Sequence, residues 1–244
     1  MIVVGTAGWS LPRPAQAAFP TGGTHLSRYS RVLRGVEINS SFYRAHSRRT
    51  YEKWAAATPA NFRFAVKIPK TITHVERLRR ARRPLEQFLG EVAGLGGKLG
   101  PLLVQLPPSF AFEPRPAHTF LTLLSERHRG PVVWEPRHAS WFTDRAEAFL
   151  VEHRVARVAA DPVVVDVAAH PGGWRGSAYY RLHGSPSKYW SVYPPERVQA
   201  WAVELSRLPA GIDTWCVFDN TAGGGAIGNA LQLAALAADF SGAT

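Results

Sequence analysis

The chain has 244 residues, 45% hydrophobic and 19% charged, with a mean hydropathy of −0.13, a composition that excludes a disordered, collagenous or coiled-coil protein. Its lone cysteine, Cys216, excludes an internal disulfide framework and a cysteine-rich zinc module, and no disulfide-linked partner is expected. A formal net charge of +11 points to an anionic partner or substrate.

Short apolar runs recur along the chain, each followed by a turn and a helical pattern. Strands are predicted at 2–5, 36–39, 62–67, 102–106, 132–135, 156–161, 178–183 and 215–219. They lack sustained polar alternation, as strands buried on both faces do. Helices are predicted at 50–57, 84–95, 117–126, 143–153, 195–208 and 226–240. Their buried stripes include Leu85, Phe88 and Val92, then Phe120, Leu121 and Leu124, then Val198, Trp201 and Leu205. Pro84 and Thr143 fit the two N-terminal positions that favour them. Eight strands alternating with helices in this length imply an α/β chain, a single (β/α)₈ TIM-like barrel over 1–244. Irregular helices are expected after the first and sixth strands. No apolar run reaches the ~18 residues of a membrane helix. Met1 leads straight into Ile2-Val3-Val4 without a basic leader, so a cytoplasmic protein with no membrane partner is expected.

The predicted strand ends collect polar residues: Glu37, Asn39, Lys67, Gln105, Glu135, Arg137, Asp161, Arg181, His183 and Asp219. Period-two alternation sets Glu37 with Asn39, Glu135 with Arg137, and Arg181 with His183 on one side of each strand. Charges facing an apolar interior are costly unless paired or used, so many together suggest a site. Glu37, Glu135, Asp161 and Asp219 with His183 can share acid–base work or hold a single divalent metal, and both readings stay open. Only His74, His138 and His183 fall at strand ends, too few for a trinuclear zinc site. His183 is the best proton carrier, with Glu135 or Asp161 as its partner. Lys67 has three readings: a pair with Glu37, an anion holder, or a Schiff-base amine. Arg137, His138 and Arg181 offer donors to a carboxylate or phosphate. Trp9, Tyr43, Trp141, Tyr189, Trp190 and Tyr193 fall in loops, to stack on a ligand or cap the core, whereas Trp54, Trp134, Trp201 and Trp215 read as packing.

The motifs along the chain resemble the YecE-like family, a bacterial domain of unknown function. They are Gly5-Thr6-Ala7-Gly8-Trp9, Val36-Glu37-Ile38-Asn39-Ser40-Ser41-Phe42-Tyr43 and Phe64-Ala65-Val66-Lys67-Ile68-Pro69, then Gln105-Leu106-Pro107-Pro108-Ser109-Phe110. Glu135-Pro136-Arg137-His138, Ala160-Asp161, Tyr180-Arg181-Leu182-His183-Gly184 and Phe218-Asp219-Asn220-Thr221 follow in order. The resemblance implies a TIM-like barrel and supplies no activity. Its likeness of fold to endonuclease IV and sugar-isomerase barrels is analogy alone. The chain departs from the family after Trp9, where Ser10-Leu11-Pro12-Arg13-Pro14 replaces further aromatics.

Two segments suit anions. The turn 220–225 after the last strand opens a helix, and Asn220, Thr221, Gly223 and Gly224 are expected to bring backbone N–H groups to an anion. The segment 70–83 carries Lys70, Arg77, Arg79, Arg80, Arg82 and Arg83 with Glu76 the only acid, and is expected to overhang the same strand ends as Lys67. Residues 1–100 hold 17 basic and 5 acidic side chains, a net +12; residues 101–244 hold 12 and 13, a net −1. The residues therefore point to an enzyme acting on a phosphate-bearing substrate, a nucleic acid or a sugar phosphate. The alternative is a non-catalytic nucleic-acid-binding protein docking through its basic surface.

Overall fold

The computed structural model describes residues 2–241; the expected domain's outermost residues, Met1 and 242–244, lie outside them. Strands and helices alternate in a mixed α/β fold. In chain order they are β1 (Ile2–Thr6), α1 (His25–Tyr29), β2 (Gly35–Ile38), α2 (Arg48–Ala56), β3 (Arg63–Lys67), α3 (Arg82–Val92), β4 (Leu99–Gln105) and α4 (Pro114–Arg127). Then come β5 (Val132–Glu135), α5 (Asp144–Glu152), β6 (Ala156–Arg157), β7 (Ala159–Asp161), β8 (Gly172–Gly173), β9 (Ser177–Leu182), α6 (Pro195–Ser206), β10 (Asp213–Phe218) and α7 (Gly225–Ser241).

Every apolar run named from the sequence coincides with a strand to within a few residues at its ends. The run 156–161 is divided into β6 and β7 at Val158, whose N–H donates to Trp134 O at 2.9 Å. After β1 the chain makes a 3₁₀ turn at Arg13–Ala18 and the five-residue α1; after β7 it makes a 3₁₀ turn at Asp166–Ala169 and then β8. Those are the two places where irregular helices were expected. Two elements carry no sequence signal. Helix α1 is one turn, capped by Thr24 Oγ1, which accepts from Ser27 N at 3.2 Å, and is too short for a periodic stripe. Strand β8 is two glycines paired antiparallel with β6.

Two sheets result, one in the order β1-β10-β9-β7 and one in the order β2-β3-β4-β5-β6-β8. All pairings except β6 with β8 are parallel. A parallel bridge between Ala7 and Glu37 touches the first sheet to the second. The helices pack their apolar stripes on the outer faces in a large core that includes Leu85, Phe120, Leu124, Val198 and Trp201. A smaller inner cluster draws alternate residues from both sheets: Val3, Tyr179, Trp215 and Val217 meet Ala65, Leu103, Val133, Ala156 and Val158. The Trp215 indole fills much of it, and glycine is needed around that ring. A Cβ on Gly35 would lie 2.2 Å from Val3 Cγ1 and 3.0 Å from Trp215 Cζ3.

Candidate active site at the strand ends

The phase that buries the inner cluster continues to the C-terminal strand ends. Val133 leads to Glu135 and Arg137, Tyr179 to Arg181 and His183, Trp215 and Val217 to Asp219, and Ala65 to Lys67. Each of these polar residues is buried, and the model brings them into one cluster with Glu37 of β2.

Arg181 is the hub. Its Nε donates to Glu37 Oε2 at 2.9 Å, Nη2 to Glu37 Oε1 at 2.7 Å, and Nη1 to Glu135 Oε2 at 2.9 Å. Its Nη2 is also 3.0 Å from Asp219 Oδ2. Burial opposes the Arg181 charge, but Glu37, Asp219 and Glu135 outweigh it and hold the guanidinium firmly protonated. Most of its donors are thus spent on the protein's own carboxylates. Burial would likewise lift Glu135 and Asp219. Arg137, Arg181 and His183 instead hold Glu135 well below the usual carboxylate range, and Arg181 with His183 and Lys67 lowers Asp219.

His183 is fully buried between two of those acids. Its Nδ1 lies 2.9 Å from Asp219 Oδ2. Its Nε2 lies 2.9 Å from Glu135 Oε1 and 2.7 Å from Arg137 Nη2, a guanidinium that also contacts Glu135 Oε1 at 2.5 Å. Nε2 therefore faces an acceptor and a donor at once. The Nε of Arg137 is buried without a partner among the described residues.

Lys67 differs from its neighbours. Its Nζ sits 4.0 Å from the centre of the Phe42 ring and makes no hydrogen bond or ion pair among the described residues. Of its three readings, the pair with Glu37 does not form, because Arg181 and Tyr179 take that carboxylate; the Tyr179 hydroxyl donates to Glu37 Oε2 at 2.8 Å. Burial, reinforced by Arg181 and opposed by Glu37, Glu135 and Asp219, lowers the Lys67 pKa to about 8. The neighbouring His74 is pushed down to about 4 by burial and by Lys67.

Several expected residues lie apart from this cluster. Asp161 is out of phase, since Ala156 and Val158 face the inner cluster; its Oδ1 accepts from Tyr193 OH at 2.7 Å and its Oδ2 lies 3.6 Å from Arg197. His138 caps a turn, with Nδ1 accepting from Ser140 N at 3.2 Å. Asn220 is a buried latch whose Nδ2 donates to Ser191 O and Asn229 Oδ1, while Thr221, Gly223 and Gly224 form the turn before α7. The arginine segment runs onto the outer layer rather than over Lys67. Arg77 and Arg79 reach the loop after β4, Arg77 bonding Ser109 and covering the Phe110 ring and Arg79 pairing with Glu113 at 2.6 Å, while Arg82 pairs with Glu86 at 3.8 Å. Arg80 and Arg83 make no ion pair among the described residues. Trp141 and Tyr193 are buried core, and Tyr43 and Trp190 are exposed. Trp54, expected to pack, does pack half-buried against the core, and it also lines a cavity with Trp9.

Two contributors, Tyr179 and Lys188, escaped sequence reading, whereas Tyr189 was among the loop aromatics expected to stack on a ligand or cap the core. Tyr179 stands two residues before Arg181 and shares its phase, a signal that was available. Lys188 and Tyr189 come from the loop 184–193, which folds back over His183. The Tyr189 ring meets the imidazole edge-on at 5.7 Å, and Tyr189 N donates to His183 O at 2.5 Å. Burial and the nearby Arg137 lower Lys188 to about 8. Among the described residues, no three His, Cys, Asp or Glu side chains are grouped to hold a metal ion, consistent with carboxylates already engaged by arginine.

Known proteins share this chain's pattern. The UPF0759 protein YecE of Escherichia coli O157:H7 and that of strain K12 are each 29% identical over 168 residues, 68% of this chain and 59% of theirs. The alignment thus spans about three-fifths of those relatives. The UPF0759 protein YunF of Bacillus subtilis is 24% identical, covering 96% of this chain and 93% of its own. Among solved structures, a DUF72 family protein from Thermotoga maritima matches at a TM-score of 0.77 and 28% identity, over 97% of this chain and 98% of that one. One from Enterococcus faecalis matches at 0.82 and 20% identity, over 98% and 96%. The model for the family described as "Protein of unknown function DUF72" matches residues 3–243, and with that near-complete match the chain belongs to the DUF72 family.

Proposed function

We propose that the protein is an enzyme that acts on a phosphate-bearing substrate by acid–base chemistry at the strand ends, with His183 as the proton carrier. The position of Nε2 carries this reading. Without a proton Nε2 accepts from Arg137; with one it donates to Glu135. Either state finds a partner without movement, while Asp219 fixes the ring through Nδ1. Lys67 adds a buried cation with no acceptor of its own, suited to an anionic substrate group. His183 is closed over by the loop 184–193, so entry of substrate requires that loop to lift and Tyr189 to leave the imidazole.

The fold in this reading is one closed (β/α)₈ barrel forming a single domain. The Ala7–Glu37 bridge and the inner cluster shared by both sheets support it at one seam, and at the other the chain passes from β6 of one sheet to β7 of the other through Val158, which is bonded to Trp134 O of β5. An experimental structure with an open gap between β1 and β2 would overturn the closure.

The functional test is a screen of small phosphorylated compounds by ³¹P NMR and mass spectrometry with the full chain. Turnover of one of them is expected, and His183→Ala should lower it by about 10²–10⁴-fold. A variant that keeps its turnover, or a wild type that converts no phosphorylated compound, removes the assignment.

A further inference from the structure

A cavity of about 850 Å³ lies beside the charged cluster, between the segments that follow β1, β2 and β10. That volume falls within the ~300–1,000 Å³ range of small-molecule sites. Its wall contains Arg44, His25 and His46 but not one Asp or Glu. The contrast with the cluster is one of charge balance. Glu37, Glu135 and Asp219 there offset Lys67, Arg137 and Arg181. In the cavity wall Arg44 is the fixed cation and faces no Asp or Glu of that wall, while burial and Arg44 lower the His46 pKa. Arg44 and His25 make no side-chain hydrogen bond or ion pair among the described residues, and His46 spends one ring nitrogen on Ser40 Oγ at 2.8 Å.

Two further features of the wall suit a ligand. Trp9 and Trp54 are half-buried and meet edge to face with ring centres 5.0 Å apart, giving an apolar side. Among the described residues the Asn39 amide makes no hydrogen bond, and its Oδ1 is buried without a partner. Across the cavity lies the turn 221–224, where the N–H groups of Thr221 and Gly223 have no acceptor among the described residues. The backbone there is closely packed, since a Cβ on Gly223 would stand 2.6 Å from Trp190 O.

We propose that this cavity binds a small organic phosphate carrying a planar ring, a ligand of the mononucleotide class. Its phosphate lies between Arg44 and the turn 221–224, its ring lies against Trp9 and Trp54, and a hydroxyl or ring nitrogen meets the Asn39 amide. The inference rests on the phosphate-bearing substrate proposed above. It assigns the phosphate to this cavity instead of the cluster, whose arginine hub is already spent.

The experiment titrates the full chain with adenosine 5′-monophosphate, followed by tryptophan fluorescence and calorimetry, with adenosine and inorganic phosphate titrated separately. The monophosphate should bind at least about tenfold more tightly than either fragment, since each supplies only one of the two contacts. Arg44→Glu should weaken the monophosphate and inorganic phosphate by about tenfold or more, and Arg44→Lys by less. Trp54→Leu should weaken adenosine and the monophosphate while leaving inorganic phosphate unchanged. Thermal melts of each variant establish that it folds. Monophosphate binding that ignores Arg44→Glu and Trp54→Leu but is lost in Lys67→Ala overturns this inference and leaves the cluster as the phosphate site. Absence of binding by the wild type at millimolar monophosphate overturns the inference. Turnover of a different phosphorylated compound in the screen would then keep the proposed function standing without it.

Discussion

Arg157 and Arg181 are buried alike, at 2% and 1% exposure, in different company. In the corner formed by α5, β6 and β8, Arg157 bonds Glu147 through Nε, reaches His170 O at 3.3 Å and Val167 O at 3.5 Å, and lies over the Phe142 ring. Glu147 also accepts from Gly173 N. One cation, one anion and fixed carbonyls close that corner, tying α5 to the irregular segment after β7. At the strand ends Arg181 faces three carboxylates, and two of those also hold His183. The corner leaves no exchangeable proton. The cluster keeps one imidazole nitrogen between a donor and an acceptor, and one lysine without either. Burial alone therefore does not mark a site; ionisable groups with exchangeable partners do.

Removing the two arginines sharpens the comparison most. Arg181→Met leaves Glu37, Glu135 and Asp219 buried with too few cations, and a loss of about 3–5 kcal/mol is expected by chemical denaturation. Arg157→Met orphans a carboxylate with 29% side-chain exposure that water can reach, so a smaller loss, about 1–3 kcal/mol, is expected. Equal losses would mean that the two regions are the same kind of strut.

Lys67 tests the cluster in the opposite direction. Its pKa of about 8 lies below the ordinary 10.5, so the folded state penalises its proton. The penalty is full below pH 8 and is relieved as pH rises from 8 to about 10.4, where the unfolded chain also deprotonates. Lys67→Met should therefore stabilise the protein at pH 7 by up to about 3 kcal/mol, with the gain shrinking toward pH 10. Destabilisation at pH 7 would show Lys67 to be a net anchor for the acids. A stabilised variant that loses turnover would mark it as a residue kept for function at the expense of stability.

The acidic limb gives a further contrast. Glu135 and Asp219 have lowered pKa values, so their contribution is present above about pH 4, where unfolded carboxylates ionise, and is lost as pH falls through their folded values. Denaturation midpoints of the wild type should fall on acidification below pH 4, and Glu135→Gln with Asp219→Asn should flatten that fall. An unchanged acid limb would mean that the pairs to Arg181 and His183 contribute no pH-dependent stability.

Much of the cluster was legible because a parallel sheet repeats every two residues. Apolar runs located the strands, and the phase within them grouped Glu135 with Arg137 and Arg181 with His183 before any contact was known. The same rule fails at Asp161, where Ala156, Val158 and Ala160 are too small and apolar to declare which side faces inward. Arg157 shares the phase of Asp161 and lies on the outer side with it, a clue the sequence contained. Lys188, and the contact that the loop aromatic Tyr189 makes with His183, were not legible, because the return of their loop depends on left-handed backbone at Gly184 and Tyr189, with φ of 91° and 70°. Helix α1 and strand β8 were missed because one turn and two glycines carry no period.

The smallest effect is expected at the arginine segment, which composition made conspicuous. Its arginines are spread along exposed backbone instead of converging, and Leu78, 2% exposed, anchors a turn with left-handed φ at Arg77, Leu78 and Arg80. The Arg79–Glu113 pair is short at 2.6 Å, but its side chains are 59% and 40% exposed, so water and salt screen it. Arg79→Ser should change stability by no more than about 1 kcal/mol, against the several lost at Arg181. The segment also offers a direct check on the nucleic-acid alternative. Bound duplex DNA would give a salt dependence with a slope near 0.9 per phosphate contacted, and serine at Arg79, Arg80, Arg82 and Arg83 would flatten it. No binding of duplex DNA at low salt is expected, because the segment braces the outer layer away from the strand ends. Tight binding that these serines abolish would turn the comparison around, making the exposed arginines the working ones and the buried cluster their scaffold.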